Sequence, residues 1–587
     1  MNTRRHHLRL ILLTLAAVSL PPSLYAQNIA QIAKSDPLII SGAIGTNNTF
    51  YRSSSGYGSP LSNTFYANLN ISVYGFSMPF SVYYANNNLA FNYPHFSFNA
   101  SPTYKNWTLH LGQRSMNFGS YVFTMPFNGV GMEYNGKRLR FGAFYGTLKK
   151  AVNDNPEDPS ARTPQYQRIG WGAKIGYGTT ENYLDLYFLR ARDELSSLYD
   201  AWHTTLPAQE DLVVGMKGRL SITRHFNLQA NAAASVFSDD ITADVLEFPE
   251  LQRWDKIFTA RYSSLARFAG DASMNLNFGT FNAALSYKMI QPDYKSLGVS
   301  YISNNMHALS LSASTNLFKR ISLSANFSGQ ADNLSKQQMY TTEGFVYSAN
   351  AATSFGQHVS LSAGYSGYRQ LQADGTCAVV DSTRINRIMH NLSLSPTISF
   401  GNNQLTHSLS PSVSYSFNGD LNPYSNKNGE TDVRTLAAGI NYNLGLTAIE
   451  TNINTAYSHQ QSKGYNTQYS TDVVSVGTSR SFLADKNLDA SINVNFINNH
   501  VMNQANNFSM GFDASVGYTL KEVHAFSFSC GYNKFNNINF VVEEDYTDTL
   551  YDNGYDLSMS LNYTYTFTLL QIKRRAEAET KAKTRAY

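Results

Sequence analysis

The strongest constraint in the sequence is a strict two-residue alternation in its last apolar stretch, Leu557 to Leu569. Apolar or aromatic residues fill every second position, and serine, asparagine or threonine fills the positions between them. Successive side chains of a β-strand point to opposite faces, so the stretch predicts a strand with one apolar face and one small, polar face. A soluble strand on a core can show the same pattern, but this one is longer than the usual strand of about 5–6 residues.

The same alternation recurs along most of the chain, in hairpins whose short turns alternate with long polar loops. In one clear pair, Leu309 and Leu311 enter a turn on the face by which Ile321 and Leu323 leave it. Such faces suit a wall with lipid outside and water inside. The sequence therefore predicts an all-β fold, a single large antiparallel transmembrane β-barrel of about 26 strands (roughly 22 to 26). An even number places both termini, and every short turn, on the periplasmic side.

The N-terminal residues have the pattern of an export signal. Basic residues precede an apolar run from Leu10 to Leu20, two prolines end the run, and Ala26 offers a cleavage point. The run is too short to span a membrane, so residues 1–26 are predicted to be a signal peptide. Residues 27–37 are expected to form a short periplasmic segment, too short for an N-terminal plug domain. The barrel is expected over residues 38–570, with a charged periplasmic tail over residues 571–587.

The composition agrees with an exported membrane barrel. Charged residues make up 15% of the chain, below the ~25% of soluble domains, while tyrosine and phenylalanine number 39 and 35. No stretch after the signal has the roughly 18 continuous apolar residues of a transmembrane helix. The balance of charges is nearly even, so nothing attracts nucleic acid. We expect a multi-pass β-barrel in the outer membrane of a Gram-negative bacterium.

Four short motifs in the N-terminal third carry a resemblance to a known family. They are Met-Pro-Phe-Ser at 78–81, Ser-Pro-Thr-Tyr-Lys at 101–105, His-Leu-Gly-Gln-Arg at 110–114 and Arg-Phe-Gly-Ala-Phe-Tyr-Gly at 140–146. With these motifs the chain resembles an uncharacterised family of Bacteroidota-type outer-membrane β-barrels. The resemblance covers about a quarter of the chain. It implies a location and an architecture, and it brings no catalytic residues with it.

The lumen of such a barrel is too wide for wall side chains to fill. With strands ~4.8 Å apart and tilted by ~40°, 26 of them enclose a ring roughly 50 Å across if it is circular. The lumen is then blocked by inward-folded loops or by a partner, or it is not blocked. The candidate loops are Arg192 to Gln209, Ser238 to Ala260 and Asn536 to Gly554.

Strand parity gives a short list of charged residues on the otherwise neutral lumen face. They are Lys174, Lys217, Arg219, Asp271, Lys288, Glu450, Asp489 and Asp513. A selectivity ring requires opposed charges at one height in the pore. The sequence does not give height, so scattered lumen charges are the alternative interpretation.

Two prolines, Pro396 and Pro411, fall in facing strands at about equal distances from the turn at Gly401 to Gln404. Proline lacks an N–H group, and a closed wall has no free edge at which that loss is harmless. One hypothesis is a locally weakened wall, or a bulge where a partner packs. The alternative is a tolerated kink near the periplasmic rim.

Two functions remain open. The polar lumen and the missing plug favour transport, as a passive channel or a translocation pore. The size, the paired prolines and the charged tail favour a structural subunit of an outer-membrane complex for protein or lipid assembly or secretion. The histidines are not tied by spacing to a nucleophile or an acid, so no enzyme, metal or cofactor is expected. The expected partners are outer-membrane lipids and lipopolysaccharide, the barrel-assembly machinery during insertion, and an outer-membrane or periplasmic protein.

Overall fold

The computed structural model is a closed antiparallel β-barrel. It describes residues 38–54, 56, 61–74, 76–86, 96–153, 163–199, 206–247, 257–483, 485, 487–501, 507–543 and 546–572, and the side chains of 537–552, 571 and 572 are left aside. The first strand pairs with the last along its whole length, from Leu38 opposite Ile572 to Ser53 opposite Asp556. This pairing closes the wall and confirms the fold predicted from the alternation.

The wall is built from 27 strand segments, each paired with its neighbours in sequence. They are β1 (Leu38–Ser53), β2 (Leu61–Val73), β3 (Phe76–Ala85), β4 (Phe96–Ala100), β5 (Thr103–Tyr104), β6 (Trp107–Ser115), β7 (Pro126–Asn135), β8 (Leu139–Lys149), β9 (Gln167–Gly178), β10 (Tyr183–Glu194), β11 (Glu210–Thr223), β12 (Phe226–Ser238), β13 (Ser264–Asn277), β14 (Phe281–Ile290), β15 (Met306–Leu317), β16 (Ile321–Asp332), β17 (Tyr340–Phe355), β18 (Val359–Asp374), β19 (Asn386–Gly401), β20 (Leu405–Asp420), β21 (Val433–Leu446), β22 (Thr451–Lys463), β23 (Gln468–Phe482), β24 (Leu488–Val501), β25 (Asn507–Leu520), β26 (His524–Glu543) and β27 (Tyr546–Ile572).

The segments β4 and β5 occupy one place in the wall, because both pair with β3 on one side and β6 on the other. The barrel therefore has 26 wall positions, the predicted number. Its described strands run from Leu38 to Ile572, and the expected bounds of residues 38–570 stay a prediction. The predicted signal peptide, the segment 27–37 and most of the tail lie outside the described residues.

One predicted turn is wrong. The alternation predicts strands over Phe65 to Gly75 and Phe80 to Tyr84, with a turn at Phe76 to Met78 between them. In the structure β3 begins at Phe76, which pairs with Val73. The chain reverses at Tyr74, whose φ of 46° lies in the left-handed region. The apolar residues around this turn gave no local turn signal, so the reversal was placed too late.

The outward face of the wall is apolar and exposed, as a surface in lipid requires. Examples on four strands are Leu186 on β10, Met216 on β11, Leu311 on β15 and Phe496 on β24. Exposed aromatic residues also cluster beside the short turns, namely Trp107, Tyr177, Phe278, Phe318, Phe355, Phe400 and Phe482. Aromatic belts of this kind mark the boundary between lipid and water. The protein is thus an outer-membrane barrel that crosses the bilayer with its strands.

The described residues contain very little helix. Three short 3-10 turns occur, at Leu195–Ser197, Asp381–Thr383 and Thr447–Ile449. In that same part of the chain, no helix is long and apolar enough to cross a bilayer.

Candidate functional site: two inward segments and the charged wall beneath them

Two connections at the long-loop end fold into the barrel. Residues 116–125, which join β6 to β7, form the first inward segment, and residues 291–305, which join β14 to β15, form the second. Both pack on lumen-facing side chains of the wall from β7 to β14, and together they build the main hydrophobic core of the molecule. This core fills part of the lumen with inward-folded loops, which was one of the three alternatives left open by the sequence.

Aromatic rings hold the first inward segment to the wall. Phe118 and Phe123 are fully buried. The ring of Phe123 stacks on that of Phe144 with centroids 4.3 Å apart, and Phe144 stacks in turn on Phe127 at 4.7 Å. Fully burying a phenylalanine stabilises a fold by about 1.5–3 kcal/mol, so these contacts fix the segment firmly against β7 and β8.

Hydrogen bonds join the second inward segment to the first. The hydroxyl of Tyr294 donates to the carbonyl of Tyr121 at 2.8 Å, and the hydroxyl of Ser296 donates to the carbonyl of Val122 at 2.7 Å. Burial and the nearby Asp211 carboxylate raise the pKa of the Tyr294 phenol well above its usual value, so this donor keeps its proton. The two segments form one unit inside the lumen.

The wall also accepts a bond from the second inward segment. Asp211 on β11 is completely buried, and its Oδ2 accepts the backbone N–H of Leu297 at 2.6 Å. A hydrogen bond of this kind contributes about 0.5–1.5 kcal/mol net. The neighbouring Gly298 has no space for a side chain, because a Cβ there comes within 2.6 Å of the Val122 carbonyl oxygen.

The three loops that were predicted to fold inward do not supply these segments. The described parts of 192–209 and 238–260 pack against each other in a second, smaller core of Tyr166, Leu198, Ala208 and Ile241. The third loop, Asn536 to Gly554, continues the β26–β27 ladder as far as Glu543 opposite Tyr546. That prediction is therefore wrong for the third loop, which extends the wall and does not bend into the lumen.

The predicted lumen charges on the β9–β14 sector come together beneath the inward segments. Lys217, Asp271 and Lys288 share one row of the wall, because Lys217 lies opposite Asn231, Asn231 opposite Asp271, and Asp271 opposite Lys288. The sequence missed two members of the same row, Arg140 and Asp185, which lie on either side of Gly176. The row thus alternates in charge from β8 to β14.

Glycines in the wall let charges meet across an intervening strand. Gly176 separates Arg140 from Asp185, and the Arg140 Nη2 atom lies 2.7 Å from the Asp185 Oδ1 atom. Gly142 separates Glu133 from Lys174 in the same way, and these two side chains form an ion pair. Without a Cβ on the middle strand, partners two strands apart can touch.

Glu133 is held from a second side as well, since its Oε2 lies 3.0 Å from the His110 Nε2. Lys174 also lies over the ring of Phe118, 5.7 Å from its centroid, and so links this pair to the first inward segment. Arg219 lies two residues beyond Lys217 on β11 and belongs to the adjacent row, opposite Tyr183.

The remaining predicted lumen charges lie elsewhere. Asp513 is exposed on β25, and Asp489 near the start of β24 accepts a hydrogen bond from the Ser481 hydroxyl. Glu450 is not on a strand but follows the 3-10 turn Thr447–Ile449, with a φ of 49°. It lines the same cavity as Asp489. The eight charges therefore divide into a clustered set on β9–β14 and a dispersed set on the opposite side.

We expect Gly176→Ala to break the Arg140–Asp185 pair. A Cβ at this position lies 1.8 Å from the Asp185 Oδ1 atom, so the carboxylate has to turn away. The loss should be about 1 kcal/mol, because both groups keep some contact with water. Urea unfolding of the barrel in detergent measures it. Gly218→Ala is the matched control, since its Cβ meets nothing closer than 3.4 Å. Equal stability of the two variants would contradict the expected role of Gly176.

The two prolines face each other on the outward side of the wall. The pairing of β19 with β20 runs to Leu394 opposite Val413 and resumes at Ile398 opposite Leu409, which sets Pro396 opposite Pro411. The register is the same on both sides of the break, so no bulge is present. On their other edges the prolines pair normally, with Leu361 and Ile440.

Several of the described histidines bond to carboxylates or phenols, while His225 and His358 bond to backbone carbonyls. Besides the His110 contact, His459 Nδ1 lies 2.8 Å from Asp472 Oδ1, and His407 Nδ1 lies 2.7 Å from the Tyr442 hydroxyl. Within the described residues, none of these three histidines is hydrogen-bonded to a serine or cysteine. His95 and His203 lie outside that part of the chain.

No protein-family model matches the chain, and no curated protein matches it. Among solved structures it is similar to the P pilus usher (PapC) translocation pore, with 9% identity over 91% of this chain and 100% of that one and a TM-score of 0.35. Acinetobacter baumannii OccAB2 has 10% identity over 65% and 96% of the two chains, with a TM-score of 0.31. Pseudomonas aeruginosa OpdK with vanillate has 8% identity over 62% and 93%, with a TM-score of 0.31. Likeness at this level is that of one β-barrel to another.

Proposed function

We propose that this barrel is a passive channel of the outer membrane, in which the two inward segments narrow the lumen from one side. The observation that carries the proposal is the contrast between the two halves of the barrel. Among the described residues, the core that the inward segments form with the wall contains lumen-facing side chains of the β7–β14 sector. On the other half, lumen-facing Asn326, Asn350 and Asn391 are exposed. A polar, uncovered wall opposite a packed sector leaves a water-filled path.

Planar-bilayer recording tests the proposal. The purified full-length barrel should give large, steady openings, and the same preparation unfolded by boiling should give none. A barrel that migrates as folded protein and yet stays electrically silent would contradict a channel. Stoichiometric co-purification of other proteins with such a silent barrel would support the second function below.

The second candidate function is that of a structural subunit in an outer-membrane assembly or secretion complex. The observation that favours it is the interrupted ladder at Pro396 and Pro411, because a partner or a substrate can act where the wall is weakest. On the lumen side of the break, the hydroxyls of Thr397 and Ser410 lie 3.1 Å apart and form a side-chain bridge between the two strands.

We expect the double variant Pro396→Ala, Pro411→Ala to unfold at a higher temperature than the wild type, by several degrees. Two N–H donors return to the ladder, and an unsatisfied backbone group in lipid costs several kcal/mol. That exceeds the roughly 0.4–1 kcal/mol of chain entropy that each proline contributes. The temperature at which the band on a gel changes mobility measures the effect. Each single variant should show about half of it, and a double variant that unfolds no later than the wild type would rule out a weakened wall.

We also propose that the barrel is not an enzyme, since described histidines such as His110, His407 and His459 bond to side chains of neighbouring strands. Membership of a Bacteroidota-type family stays a prediction. So do the expected contacts with lipopolysaccharide, with the assembly machinery and with a partner protein.

A further inference from the structure

We propose that the cavity between the first inward segment and the wall is a binding site for a single oxyanion group, a carboxylate or a phosphate, on a passing solute. The cavity has a volume of about 200 Å³ and lies between Asn117 on the inward segment and Arg140, Lys174, Asp185 and Lys217 on the wall. This inference rests on the proposed channel function, because it names the class of solute that the narrowed sector would bind.

The charges around the cavity favour an anion. Arg140 is paired with Asp185 and Lys174 with Glu133. Lys217 lies opposite Asp185 on the neighbouring strand, but within the described residues it makes no hydrogen bond or ion pair of its own. Around the cavity, the three cations Arg140, Lys174 and Lys217 thus meet two carboxylates, Asp185 and Glu133, which leaves one positive charge in excess. A partly buried ammonium group gains most from an ionised acceptor, which forms shorter and stronger hydrogen bonds than a neutral one.

Other donors surround Lys217. The Oδ1 of Asn117 accepts the backbone N–H of Gly119 at 2.9 Å, which orients the amide and leaves its NH₂ group available. Arg140 donates from Nε and Nη2 to Asp185 and from Nη1 to the Gly178 carbonyl. A guanidinium has five N–H groups, so two remain. A lysine, an amide and an arginine lining one small cavity offer donors to several oxygens at once.

The size of the cavity limits what can bind. Pockets that enclose a whole drug-sized ligand measure about 300–1,000 Å³, and this one is smaller. It holds a charged group, while the rest of a larger solute stays in the open part of the lumen. The wall row continues beyond the cavity with Asp271 and Lys288, so the cavity lies at one end of a stripe whose charges alternate.

The test measures binding directly on the full-length barrel in a phosphate-free detergent. Inorganic phosphate is followed by ³¹P line broadening and trifluoroacetate by ¹⁹F line broadening, and each probe is added in competition with the other. Lys217→Gln should weaken the binding of both probes about tenfold, as expected for the loss of one charge-assisted bond. Lys288→Gln is the matched control, because it removes the same charge from the same row outside the cavity, and it should bind as the wild type does.

Each outcome decides the proposal. Competition between the two probes, with a loss in Lys217→Gln alone, supports one shared oxyanion site. If only one probe is broadened, the site binds only that class of oxyanion, phosphate or carboxylate. Equal broadening in the wild type and Lys217→Gln, or none in the wild type, overturns the site even if the barrel conducts. Broadening in a barrel that does not conduct keeps the site and counts against the channel. Gel migration before and after boiling confirms that every variant is folded.

Discussion

Replacing residues 117–124 with a short glycine-serine linker should raise the single-channel conductance several-fold. The first inward segment supplies much of the core that covers the β7–β14 sector, and without it the second segment loses the hydrogen-bond acceptors Tyr121 and Val122. The wall itself should stay closed, because its ladders do not pass through the segment. Planar-bilayer recording on folded barrel measures the change.

A deletion of similar size in another long loop is the control. Residues 424–431 lie in the outer loop between β20 and β21, where Asn422 bonds to the carbonyls of Asp381 and Arg384 in the neighbouring loop. Shortening this loop should leave the conductance near that of the wild type. If the two deletions change conductance equally, the inward segment does not narrow the lumen.

The second large effect is expected from Gly298→Val. A Cβ on Gly298 comes within 2.5 Å of the Leu189 side chain and 2.6 Å of the Val122 carbonyl oxygen. Close contacts with both the wall and the other segment cannot be relieved by one rotamer change. Overpacking of this kind costs typically about 1–3 kcal/mol, enough to displace the segments for part of the time. We expect frequent transitions to a higher conductance level in bilayer recordings.

Gly517→Val is the matched control for that variant. Gly517 faces the lumen from β25, and a Cβ there meets nothing within 4 Å. The same chemical change should therefore leave the recordings steady. Gly298→Val channels as quiet as the control would show that the two segments tolerate separation, or that they do not restrict flow.

The wall was predictable from the sequence because its signal is local. Alternation over Leu557 to Leu569 identifies one strand and its two faces, and the repeat of that pattern gives the strand number and the closure. Each of these features needs only neighbouring residues, and the periodicity of a strand fixes them without knowledge of the rest of the chain.

The inward segments depend on contacts that no local pattern reveals. In the sequence, residues 116–125 and 291–305 look like ordinary connections between strands. Other loops of the chain are longer, so length does not single these two out. One signal was present. Phe118, Val122 and Phe123 are apolar in a place where a solvent-exposed loop is normally polar, and such a loop must bury itself somewhere.

The charged row could be predicted only in part, for a similar reason. Parity correctly gives the face on which Lys217, Asp271 and Lys288 lie, but their alignment depends on the register of four successive strands. Register is a property of the pairing between strands. A slip of two residues leaves each side chain on the same face of the wall but changes its height along the barrel axis. The ion pairs that cross Gly142 and Gly176 required this register too.

Those two ion pairs also bear on how the cylinder deforms. A backbone hydrogen bond of the ladder joins a strand to its immediate neighbour. The ion pairs Glu133–Lys174 and Arg140–Asp185 instead join strands that have another strand between them. The four strands β7 to β10 should therefore resist shear together, as one rigid plate. In the half rich in serine and asparagine, contacts such as His459–Asp472 and the Ser491–Ser515 hydroxyl pair join immediate neighbours. Lateral pressure from the bilayer should therefore bend the compliant half first and change the width of the water path while the plate beneath the core keeps its shape.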